Sequence, residues 1–168
     1  MRIAASLLAL VLALPALAGP FDIPPDQYDE TVNPALQRVG ADLRVRQMAC
    51  APVRCRFTAI QVDIEVSGPT DRPAMERITI AASFRQGDDA AAAGLIEDTL
   101  TVLGATMVAY DPGMAADRRS EVLLELGEAA LSVGEAHVDS ADVHYALSFD
   151  DLSGRLKITA ATLRAGHG

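Results

Sequence analysis

The chain has no tryptophan, and phenylalanine and tyrosine together reach only 4% of its residues. Any core it builds must therefore be packed from aliphatic side chains. Cysteine is scarce as well, two residues in 168, which excludes a disulfide-dense scaffold and a zinc site made of cysteines alone. Cations are in deficit, because 14 Lys and Arg stand against 23 Asp and Glu for a formal charge of −9. Nucleic-acid binding rests on clustered cations that neutralise phosphates, so no nucleic-acid partner is expected. Neither G-x-G-x-x-G nor G-x-x-x-x-G-K-[ST] occurs, which removes the glycine-rich phosphate cradles and the cofactors they hold. No cofactor is expected.

What is present begins with an address. Arg2 is a short positive start, Ile3 to Leu14 an apolar run, Pro15 a helix breaker, and Ala16-Leu17-Ala18 a small-residue cleavage pattern. This reads as a secretory signal peptide over residues 1–18, cleaved after Ala18. The run is too short for a membrane span, which needs about 18 uninterrupted apolar residues, and no second run of that kind follows. Gly19 stands where a lipid-anchored export signal would need cysteine. Removing 18 of 168 residues leaves 150, and loss of Arg2 moves the charge from −9 to −10. The expected location is periplasmic or secreted, without an integral membrane segment in the mature chain.

Export changes how the cysteines read. Cys50 and Cys55 enclose four residues, and an oxidising compartment lets them form a disulfide. The spacing is too long for the C-x-x-C redox motif. A structural staple across a hairpin is the simplest reading.

Residues 19–32, with Pro20, Pro24 and Pro25 among acids, read as an extended lead-in. Residues 33–165 read as a single domain. Asn33-Pro34 looks like an N-cap followed by proline at the first helical position, opening a short helix that Gly40 ends. Leu43 and Val45 alternate with Arg44 and Arg46 as a strand leading to the cysteines. From Arg56 to Ser67, Ile60, Val62, Ile64 and Val66 share one parity in what reads as one strand, and Ile78 to Phe84 form another. The period then becomes helical: Leu95, Ile96, Leu100, Leu103 and Met107 form one stripe, and Val122, Leu123, Leu126 and Ala130 a second. Period two returns in Val143, Tyr145, Leu147 and Phe149, and again in Leu156, Ile158 and Ala160. The predicted fold is α+β: a four- to five-stranded, largely antiparallel sheet with two long helices on one face, in ββααββ order, after a short N-terminal helix.

Candidate sites are few. His137, Asp139, Asp142 and His144 are the only cluster of metal-ligand residue types; on one continuous strand the two histidines would lie about 23 Å apart, whereas a turn at Asp139-Ser140 would bring them together. Ala130-Leu131-Ser132-Val133-Gly134 outlines a nucleophile elbow, yet it sits at a helix end leading into a strand, the reverse of the context that chemistry needs. Asp117, Glu121, Glu125 and Glu128 make an acidic stripe on the second long helix. Arg44, Arg46, Arg54 and Arg56 surround the cysteine hairpin and offer a docking place for an acidic partner or lipid head groups. The outward sheet positions Ala81, Ala146, Ala161, Thr79, Ser83, Ser148 and Thr159 read as a face of small residues, low in charge, that another surface can approach closely.

These readings favour an exported, non-enzymatic domain that binds an unknown protein partner or itself as a homo-oligomer. A small-ligand or metal-binding protein is the second reading and a small hydrolase the third, since no nucleophile, base and orienting group assemble from the sequence.

Overall fold

In the computed structural model, residues 21–72, 74–84, 89–132, 134–140, 142–150 and 153–163 are described; the expected signal peptide lies outside them. Period-two segments build a seven-stranded sheet in which every neighbouring pair is antiparallel. Its strands are β1 (Arg46–Ala51), β2 (Arg54–Ala59), β3 (Val62–Ser67), β4 (Arg77–Ser83), β5 (Glu135–Asp139), β6 (Val143–Asp150) and β7 (Arg155–Thr162). They lie in the order β1-β2-β3-β4-β7-β6-β5. Two meanders are thus joined where β4 pairs with β7. Three α-helices, the first preceded by a single 3-10 turn at Pro25–Gln27, complete the described elements: α1 (Tyr28–Arg38), α2 (Asp89–Tyr110) and α3 (Ala116–Leu131).

The α+β class is as expected, but the sheet has seven strands rather than four or five and the order is not ββααββ. One cause lies at Ile60. The segment read as a single strand folds back at Ile60-Gln61, so that β2 buries Cys55, Phe57 and Ala59 while β3 buries Val62, Ile64 and Val66. Parity switches at the turn. Ile60 itself is 69% exposed with φ of +56°, a conformation that Gly, Asn or Asp normally marks; without such a mark, the hairpin is hidden in an apparently regular alternation. The other cause is β5, a five-residue edge strand with only Val138 buried. Its weak pattern offers no hydrophobic face to read.

The N-terminal region also differs. Residues 28–32, expected to be extended, are helical, and Asn33 and Pro34 lie inside α1 rather than at its start. Tyr28, Val32, Ala35 and Leu36 form its buried stripe, and that burial outweighs the hydrogen bond Pro34 cannot donate. Instead of capping the helix, Asn33 ties it to the chain ahead of β1. Its side-chain amide donates to the Val45 carbonyl at 3.0 Å and its carbonyl accepts from the Val45 N–H at 2.9 Å. This replaces the ladder expected at residues 43–45, and β1 starts only at Arg46. Gly40, at φ +72°, ends the chain's turn out of α1 as the pattern suggests.

The helices cover one face of the sheet. Helix α2 is its central covering element, with α1 on one side and α3 on the other. From Ala91 to Tyr110 it is long and apolar enough to cross a membrane by length and composition, with mean hydropathy 1.3, a property that Glu97 and Asp98 conceal in a search for unbroken runs. Val102, Leu103, Ala105 and Met107 are buried here. The bare surfaces of Gly104 and Gly127 let α2 and α3 approach, since a Cβ at either would lie 3.3 Å from Leu123 or Leu100 respectively. Buried Thr99 and Thr106 donate to the carbonyls of Leu95 and Val102 one turn earlier.

The scarce aromatics gather at the junction of α1, α2 and β2. The Tyr28 ring lies 5.7 Å from Tyr110 and 5.2 Å from Phe57, with Phe21 5.8 Å from Tyr110. The Tyr28 hydroxyl and Thr106 Oγ1 share a 2.7 Å hydrogen bond. Just past that same C-terminal end of α2, Tyr145 of β6 donates to the buried Asp111 carboxylate at 3.1 Å.

Candidate binding face of the sheet

Helices cover one side of the sheet, and the register shows what the other side carries. Directly paired residues put their side chains on the same face. One row across the strands reads Arg54, Ser67, Arg77, Ala161, His144, Asp139. The next reads Arg56, Glu65, Thr79, Thr159, Ala146, His137, and a third Thr58, Asp63, Ala81, Lys157, Ser148, Glu135. Arg155 pairs with Ser83 and with Asp150 at the far end. Small side chains floor the middle of this face, and charged ones stand around them.

That arrangement forms a concavity of about 790 Å³ over β2, β3, β4, β7 and β6. Five cations line it, Arg54, Arg56, Arg77, Arg155 and Lys157, against three carboxylates, Asp63, Glu65 and Asp150. A cation surplus in a chain of charge −9 means that the charge is sorted in space. Arg54 is engaged by Glu65 at 3.5 Å. Among the described residues no ion pair ties up Arg56, Arg77, Arg155 or Lys157. Arg54 and Arg77 flank β3 two strand spacings apart, about 10 Å.

The small residues expected on this face are there, but the expectation of low charge is not met. The Ile60 hairpin is the reason, because it folds the arginines of β2 against the acids of β3 and brings both beside β4. Of the four arginines read from the hairpin, Arg54 and Arg56 line the concavity. Arg46 pairs with Thr58 at the rim on β1, while Arg44 is exposed ahead of that strand. Sequence reading missed Arg77, Arg155 and Lys157. Their signal was parity, since they occupy the outward positions beside Ile78, Leu156 and Ile158.

The metal-type cluster is partly assembled. The β5–β6 hairpin sets the His137 and His144 rings 5.7 Å apart in a stacked arrangement, and Asp139 Oδ1 bonds His144 Nδ1 at 2.5 Å. Asp142 lies in the turn, where its backbone carbonyl accepts from Leu163. Among the described residues no three His, Cys, Asp or Glu side chains converge on a point where an ion could sit. Stacked imidazoles present faces to each other rather than lone pairs to a shared centre.

Cys50 and Cys55 are directly opposed across β1 and β2 and joined by a disulfide. Cys55 is buried on the helix-covered face, so the staple braces the strand whose arginines face the other way. A second depression of about 420 Å³ beside it, among Pro24, Pro25, Pro52 and Pro69, has Asp26 and Arg72 as its charged lining. Ser132 donates to the Glu128 carbonyl at 2.8 Å and closes the end of α3. That occupies the hydroxyl the elbow outline would require as a nucleophile. The acidic stripe of α3 is exposed along its length, with Arg118 paired to Glu121 at 3.0 Å.

The molecule is therefore an α+β domain with a half-covered antiparallel sheet whose open face is concave and rich in arginine. Compared with models of known families, with curated proteins and with solved structures, it matches none.

Proposed function

We propose that this chain is a non-enzymatic binding domain of an exported space, and that the open face of its sheet takes an acidic protein partner. The observation that carries the reading is the cation surplus of the concavity, with four cationic side chains outside any ion pair among the described residues. Asp63 and Glu65 stand among those cations, which suits a polypeptide of mixed charge better than a uniform run of phosphates. Ser67 and Thr79 keep the floor low, so a partner's backbone can come close. The Cys50–Cys55 disulfide supports an oxidising compartment, in keeping with the signal-peptide pattern.

The test is titration of the mature protein with poly-L-glutamate, followed by calorimetry. Binding is expected at low ionic strength and should weaken as salt screens it. Arg56→Glu with Arg77→Glu, both at exposed positions, should lower the affinity by about tenfold or more. Absence of binding to the wild type, or equal binding by the double variant, would overturn the proposal.

A further inference from the structure

Helix α3 carries an outward face that has no neighbour among the described residues. At about 100° per residue, Asp117, Glu121, Leu124, Glu125, Glu128 and Leu131 fall within about a third of the helix circumference, opposite the buried Val122, Leu126 and Ala130. A solvated helix face ordinarily has no use for large apolar side chains. Leu124 and Leu131, two turns apart, are nevertheless 66% and 70% exposed. The half of α3 from Glu121 onward contains three glutamates and no cation in its last turn, and the helix dipole adds negative charge at that same end. Acids and leucines therefore share one strip.

We infer that the acidic partner of the sheet concavity is α3 of a second copy of this chain, so that the protein associates head to tail. The inference rests on the reading of the concavity given above. Charge and length both match. Cations surround the concavity and carboxylates edge the helix strip. From Arg77 to the level of Arg155, opposite Ser83, is six residues along β4, about 20 Å. From Asp117 to Leu131 is fourteen residues of helix, about 21 Å. The short side chains of half-buried Ser67 and Thr79 leave room for the leucines, while Arg56, Arg77 and Lys157 reach the glutamates at the sides.

The contact joins two different surfaces, so it leaves one free face at each end and propagates instead of closing a dimer. This makes a sharp test with the full mature chain. Sedimentation should show a mass that rises with concentration and falls when NaCl is raised from about 0.05 to about 0.5 M. Arg56→Glu/Arg77→Glu blocks the concavity, and Leu124→Lys/Glu125→Lys blocks the helix; all four positions are exposed, and circular dichroism verifies folding. Each double variant should lose association by about tenfold or more. Mixed in equal amounts, each variant supplies the surface the other lacks, and the mixture should associate at concentrations where neither variant alone does.

A wild-type protein that stays monomeric throughout would overturn self-association. If that monomer still binds poly-L-glutamate through Arg56 and Arg77, the concavity retains its acidic partner and only the identity of that partner is wrong. Association that survives in the helix variant would place the contact elsewhere and overturn the inference as well.

Discussion

Raising the pH above about 10 is expected to unfold this protein by ionising its tyrosines. Tyr28, Tyr110 and Tyr145 are all buried, and burial pushes each phenol well above its ordinary value. The Asp111 carboxylate beside Tyr145 acts in the same direction. The unfolded chain gives up these three protons near pH 10, whereas the native chain holds them. Stability is therefore intact below about pH 10 and falls as pH rises past it. Three phenols retained by the fold set a slope of about 4 kcal/mol per pH unit. A domain stable by about 5–15 kcal/mol would exhaust that within roughly one to four units, placing the midpoint at about pH 11–14.

The composition makes the experiment unusually clean. The chain has one lysine, thirteen arginines and no tryptophan, and both cysteines are in the disulfide. Tyrosines are then nearly the only side chains that change charge in that range, and they dominate the near-ultraviolet absorbance. Phenolate absorbance and far-ultraviolet circular dichroism, followed together, should change in one cooperative step. Tyr28→Phe should reduce the slope by a third. A phenolate titration centred near pH 10 with unchanged circular dichroism would show that the rings reach solvent in the native state, and would refute the reasoning.

Other perturbations probe individual joints. Tyr145→Phe removes a hydrogen bond to a buried carboxylate and should cost about 1.5–3 kcal/mol, or roughly 3–12 °C in Tm; an unchanged melting temperature would mean that the Asp111 contact contributes nothing. Cys50→Ala/Cys55→Ala opens a six-residue loop and should cost about 2 kcal/mol, read as a lower urea midpoint that reductant does not lower further. Ile60→Gly relieves a β-branched residue of its positive φ at an exposed turn and should stabilise by about 1 kcal/mol. A loss of stability instead would mean that the Ile60 side chain, though exposed, makes a needed contact. Gly68→Ala would place a Cβ 1.9 Å from the Ala74 carbonyl oxygen, and the required backbone shift should cost at least about 2 kcal/mol in chemical denaturation.

Strand and helix faces were largely legible because periodicity is a local property. Val62, Ile64 and Val66, Leu156 and Ile158, and Val122 and Leu126 all point where their spacing says they should. The disulfide was legible for the same reason, since five residues of separation across a hairpin leave little choice of partner. Errors arose where local signals were weak or tertiary contacts overrode them. Ile60 occupies a turn without a turn residue, β5 has almost no buried side chain, and Pro34 sits inside a helix held by Tyr28 and Leu36.

The candidate surface belongs to the second category. Arg54, Arg77 and Lys157 are spread over more than a hundred residues, and each alone is an ordinary outward charge. By itself the sequence determined the α+β class, the faces of most elements and the cysteine staple, all of which follow from the spacing of neighbours along the chain; the core is mainly aliphatic, as composition implies, yet its largest buried side chains are Tyr28, Tyr145 and Phe57. Strand order was decided only in the tertiary structure, by long-range pairing of β4 with β7 and the crossing of α2 and α3 over one face. That pairing gathers scattered cations around a small-residue floor and leaves the acids of α3 facing away, because a sheet places side by side what the chain keeps far apart.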